Sequence, residues 1–127
     1  MKNVILKITT GVILTFAASA ALAQDDTEYD VVLPAAAQAC VLPVAPDAIP
    51  EDADKDRLLG AKQAVADFQG EIETYRACLA KAEEGEITEG NKQAIIASYN
   101  YSVEMEERVA NRFNEAVRNY KARQSEG

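Results

Sequence analysis

Two stretches of the chain place apolar side chains at alternating steps of three and four. The first runs Leu58, Ala61, Val65, Phe68, Ile72, Tyr75, Leu79 and Ala82. The second runs Ile96, Tyr99, Val103, Glu106, Ala110, Phe113, Val117 and Tyr120, with Glu106 its one charged member. This spacing lays an apolar stripe along each of two helices and forms the seam of a coiled coil or helical hairpin. The pattern predicts an all-α fold with one helix over about 53–83 and another over about 89–123. The connection between them is short, so residues 53–123 are expected to form an antiparallel two-helix hairpin, coiled-coil-like in its seam. A neighbouring row, Ile95, Ser102, Val109 and Ala116, widens the second stripe, so that helix is expected to touch more than one partner.

Start and stop signals agree with these boundaries. Asp52 or Asp54 can cap the first helix and Thr88 the second, while Arg118, Lys121 and Arg123 fall where a helix C-terminus favours positive charge. If Ala82 faces Ile96, then Phe68 meets Ala110, Val65 meets Phe113, Ala61 meets Val117 and Leu58 meets Tyr120. Larger then opposes smaller in each layer, as close packing requires. Gly60 and Gly70 interrupt the first helix at about 1 kcal/mol each relative to Ala. They are either points of close approach or tolerated weak spots.

Ahead of the helices the composition shifts. All four prolines (Pro34, Pro43, Pro46 and Pro50) lie between Val31 and Pro50, at spacings that break helices and central strands. Residues 35–52 are therefore expected to be a proline-rich extended arm, opened by a short helical turn over Ala35–Cys40. Residues 24–34 start polar and acidic (QDDTEYD) and are expected to be a disordered tail, and 124–127 a short tail at the other end. Residues 1–23 have the three parts of a signal peptide: Lys2 and Lys7, an apolar run from Val12 to Leu22, and Ala21-Leu22-Ala23 ahead of Gln24. Cleavage is expected between Ala23 and Gln24. The apolar run falls short of the ~20 residues that span a bilayer. No stable membrane anchor is expected after cleavage, and the product is expected in the periplasm or outside the cell.

That compartment changes the meaning of the two cysteines. Cys40 and Cys78 are the only thiols, and in an oxidising space they are expected to form one structural disulfide. From Asp52 to Cys78 a helix rises about 40 Å at ~1.5 Å per residue. From Cys40 to Asp52 an extended arm covers a similar length at ~3.1 Å per residue. The arm can thus start at Cys78 and run back along the first helix, with Val41, Leu42, Val44 and Ile49 in the groove between the helices. Redox chemistry would call for a C-x-x-C pair or a nearby base, and neither is present.

Charge and composition narrow the function. The net charge of the 127 residues is −8; removing Lys2 and Lys7 with the signal takes it to −10. Phosphate backbones and anionic lipid repel such a chain, so nucleic acid is not an expected partner. There is no histidine, which removes the commonest general base and metal ligand together. Asp52-Ala53-Asp54-Lys55-Asp56 opens like a calcium loop, but Arg57 stands where Gly is required and Gln63 where Glu is required. Glu104, Glu106 and Glu107 lie beside Arg108 and read as a solvated acidic face. Glu106, on the seam, either pairs with a basic residue or sets register. Tyr75, Tyr99, Tyr101 and Tyr120 read as core or interface aromatics. No enzymatic activity, cofactor or metal site is expected.

Cys40, Pro43, Pro46 and Pro50, then Ala64-Val65, Phe68, Tyr75 and Cys78-Leu79, then Tyr99-Asn100, Met105, Phe113-Asn114 and Tyr120-Lys121 resemble a group of small exported proteins of Gram-negative bacteria. Members of this group combine a proline-rich arm, two cysteines and a helical hairpin, and no function is assigned to them. The resemblance implies a fold and no mechanism. The leading expectation is a non-enzymatic envelope protein acting through protein–protein contacts, self-association through the wider stripe included. The alternatives are a periplasmic chaperone that binds stress clients, against which no L-T-x-x-Q pattern appears, and a weak cation or small-ligand binder suggested by the charge alone.

Overall fold

The computed structural model describes residues 31–126. The expected signal peptide, the Ala23–Gln24 cleavage point, residues 24–30 and Gly127 lie outside the described residues. Those described are all-helical without strands: α1 (Ala35–Gln38), α2 (Lys55–Glu83) and α3 (Glu89–Ser125).

Local chemistry sets the boundaries. Asp54, rather than Asp52, caps α2, its Oδ1 accepting from the Arg57 N–H at 2.8 Å. Thr88 caps α3 through a reciprocal box: Thr88 Oγ1 accepts from Asn91 N–H at 3.1 Å, and Asn91 Oδ1 accepts from Thr88 N–H at 3.2 Å. The last turn of α3 continues to Ser125, two residues beyond the expected end. Val32 and Leu33 do not belong to a loose tail. The Asn91 side chain donates to the Val32 carbonyl, Gln38 Nε2 donates to the Leu33 carbonyl at 2.8 Å, and Leu33 packs on the core.

The core forms three clusters along the helices. At one end Tyr75, Leu79 and Ala82 of α2 meet Ile95 of α3 and Ala37 of α1. In the middle Phe68 and Ile72 meet Val109. At the other end Leu58 meets Ala116, with Ala53 and the half-buried Tyr120 beside them. The α2 stripe is as expected at Leu58, Phe68, Ile72, Tyr75, Leu79 and Ala82, with Val65 half-buried at its edge. The α3 stripe is corrected. Its buried centre is the row Ile95, Ser102, Val109 and Ala116; Ile96 and Tyr99 are 39% and 45% exposed, and Val103, Phe113, Val117 and Tyr120 are only half-buried. Leu58 keeps its expected neighbour Tyr120, but Phe68 packs on Val109 rather than Ala110.

The arm supplies the physical reason. The three-four walk treats the seam as a contact between two helices, whereas α3 faces α2 and the arm together. Its buried centre therefore turns by about one row toward the arm. The Cys40–Cys78 disulfide fixes one end of the arm, with Cα atoms 5.7 Å apart. Ala45 then packs in the Phe68–Ile72–Val109 cluster and Ile49 in the Leu58–Ala116 cluster. Arg123 clamps the far end, its guanidinium donating to the Glu51 carbonyl and, at 2.7 Å, to the Ala53 carbonyl.

The arm's inward face is also corrected. Val41 and Val44 are 81% and 86% exposed and Leu42 lies on the surface, whereas Pro43 is buried and Cys40, Pro46 and Ile49 are half-buried. These four recur at every third residue, the repeat of a polyproline II strand. The disulfide separates residues 38 apart in sequence. It is worth roughly 3 to 4 kcal/mol in the chain-entropy model, a large part of the stability available to a domain this small.

Ile72 is 0% exposed. Ile72→Ala should therefore cost roughly 2–5 kcal/mol, and Ile96→Ala, on the open side of α3, well under half of that; denaturant melts of the two variants measure the contrast. A Cβ at Gly70 would have nothing within 4 Å, which makes this glycine a tolerated weak spot. Gly70→Ala should raise stability by about 0.5–1 kcal/mol in the same melts.

Candidate interaction surface

The described charged side chains form one internal constellation, which lies between α2 and α3. Arg76, on the turn of α2 after the core residue Tyr75, donates from Nη2 to Glu106 Oε2 at 2.7 Å and from Nε to Ser102 Oγ at 3.0 Å. Ser102 is 0% exposed; its hydroxyl donates onward to the Tyr99 carbonyl at 2.6 Å. The Arg76 guanidinium also lies over the Tyr99 ring, 5.5 Å from its centroid. No buried side-chain nitrogen or oxygen among the described residues lacks a partner.

Glu106 is thus the member of a half-buried ion pair, the first of the two roles its position suggested. Arg76 escaped the sequence reading, and Ser102 entered it only as a member of the second row, yet a signal was present. In the register that places Ala82 opposite Ile96, Arg76 stands opposite Ser102, one helical turn from Glu106. The network fixes the rotation of α3, because the fork of one arginine must reach two residues four apart on one face. The network is internally satisfied: Ser102 Oγ accepts from the Arg76 guanidinium and donates its proton to the Tyr99 carbonyl.

The network also divides α3 lengthwise. On one flank Met105, Arg112 and Ala116 lie toward the arm, where a cleft of about 600 Å³ opens between Pro46, Ile49, Gly60, Ala64, Val109 and Arg112. On the other flank no arm residue is present. There Ile96 and Tyr99 border a shallow groove with Leu79 and Ala80, and Val103, Ala110, Phe113 and Val117 continue the same line while half-exposed. The residues expected to meet α2 thus form a second stripe beside the true seam, and the pairing of Glu106 with Arg76 neutralises the carboxylate within it. Cys40 and Cys78 join in the disulfide. Tyr75 is core, and Tyr101 lies exposed on the back of α3 beneath Arg108. No group of three or more His, Cys, Asp or Glu that could hold a metal ion occurs among the described residues.

The chain matches no protein family, no curated protein and no solved structure.

A double-mutant cycle with Arg76→Met and Glu106→Gln should give a coupling of roughly 1 kcal/mol or more, above the 0.2–1 kcal/mol of exposed pairs. Chemical denaturation of the four proteins measures it; additive losses would show that the pair does not fix α3.

Proposed function

We propose that this is an exported, non-enzymatic helical protein of the cell envelope that acts through protein–protein contacts made by the open flank of α3. The observation that carries this reading is the apolar line that runs from the exposed Ile96 and Tyr99 through the half-buried Val103 and Phe113 to Val117, whose one carboxylate is already paired inside the chain. A stripe solely concerned with folding has no reason to remain half-exposed after arm and helices have packed. Contiguous apolar surface of this kind marks interaction sites.

The platform is an antiparallel hairpin of α2 and α3 strapped by the arm. Support comes from the order of contacts, Leu58 with Ala116, Phe68 with Val109 and Leu79 with Ile95, and from the short link over 84–88. Export to the periplasm or beyond agrees with the disulfide and with the signal-like leader. No helix among the described residues is long and apolar enough to cross a membrane. The resemblance to small exported two-cysteine proteins points the same way.

A photo-crosslinking amino acid at Val103, introduced in cells that make the protein, should yield protein adducts. The same probe at the exposed Glu86 of the link should yield few. Absence of any Val103 adduct would contradict the reading.

A further inference from the structure

We infer that the occupant of the open flank of α3 is a second copy of this chain, docked so that the two α3 helices run antiparallel. The pairing presupposes that this flank is a protein-contact surface, and it names the partner. Charge along α3 carries the inference. From Glu89 to Glu107 the helix has four glutamates and one lysine; from Arg108 to Ser125 it has five basic residues and one glutamate. The sign changes at the middle of the helix.

Some of these charges are already engaged within the chain: Glu106 with Arg76, and Arg123 with the arm. Glu104, Glu107, Arg118 and Lys121 are not. All four are exposed and none is in an ion pair among the described residues; at 100° per residue Glu107 and Lys121 project beside the apolar stripe on the side away from α2, and Glu104 and Arg118 lie on the next row behind them. A second α3 laid parallel would bring acid to acid and base to base. Laid antiparallel about a two-fold axis, it brings Glu104 and Glu107 of each copy to Arg118 and Lys121 of the other.

The apolar line has the matching symmetry. Its steps of three and four read the same from either end of 96–120. In the heptad register that brings Glu104 and Glu107 closest to Arg118 and Lys121, an antiparallel partner presents Val103 to Tyr120 and Ala110 to Phe113, with the paired Glu106 opposite Val117. Self-complementarity of shape and of charge together is what an isologous interface requires. Packing against α2 centres instead on the row Ile95, Ser102, Val109 and Ala116, with Tyr120 beside Leu58 and Glu106 paired to Arg76 at its edge.

The test uses the oxidised protein purified from the cells that make it, with mass determined by light scattering over a concentration series. The wild type should have the mass of two chains. Glu104→Lys with Glu107→Lys, and separately Arg118→Glu with Lys121→Glu, should each raise the dissociation constant by about tenfold or more. An equimolar mixture of the two double variants should recover the two-chain mass, because one flank is then wholly basic and the other wholly acidic. All four positions are exposed, and unchanged circular dichroism melts verify folding. A wild type that stays monomeric, or a dimer indifferent to both reversals, overturns the inference. A monomer whose Val103 probe still captures a different protein overturns the second copy while leaving the protein-contact reading in place.

Discussion

Two helices lying side by side cannot enclose a core, because each buries one face and leaves the flanks of the contact open to water. In this chain the Cys40–Cys78 bond converts that arrangement into one of three bodies. It places the start of the proline-rich arm beside the end of α2 and leaves the arm a single course past Phe68, Ile72 and Leu58. Arg123 holds the other end at Glu51 and Ala53. The arm needs little ordering free energy, since its prolines restrict it before folding begins. A strap fixed at both ends and stiff in between therefore adds a third wall to the core at low entropic cost.

The rest follows from that wall. With the arm on one flank, the buried row of α3 centres on Ile95, Ser102, Val109 and Ala116, and the bulkier row turns outward. Small side chains at Ser102 and Ala116 let the helices approach where Leu58 and Ile72 are large. Arg76 then reaches across to Ser102 and Glu106 and fixes the rotation. The same turn that closes the core on the arm side exposes Ile96 and Tyr99 on the other and leaves Val103 half-buried. The closed core and the apolar flank beside it are thus two results of one rotation.

The elements themselves were legible in the sequence. Period, caps and breaker residues locate the helices to within about two residues, and the α2 stripe is read correctly because α2 is apolar along one narrow row. The α3 stripe was not, because that helix carries two adjacent apolar rows and periodicity cannot rank them. The three-four walk selects the larger side chains, but packing density favours the smaller row where three bodies meet. The arm misled for a similar reason. Val41, Leu42 and Val44 are its most apolar residues, yet a three-residue screw turns Cys40, Pro43, Pro46 and Ile49 inward. Hydrophobicity suggests what should be buried, and backbone geometry decides what can be. Of the candidate surface, the width of the α3 stripe and the oddity of Glu106 were legible; the partner of Glu106 needed the register.

The arm is a wall of the core, held at both ends and packed between them through Ala45 and Ile49. Methyl nuclear Overhauser spectra of the oxidised protein test this directly. Cross-peaks are expected from the Ala45 methyl to the methyls of Ile72 and Val109, and none from the Val44 methyls to either. Cross-peaks from Val44 to Ile72, or none from any arm residue, would contradict it.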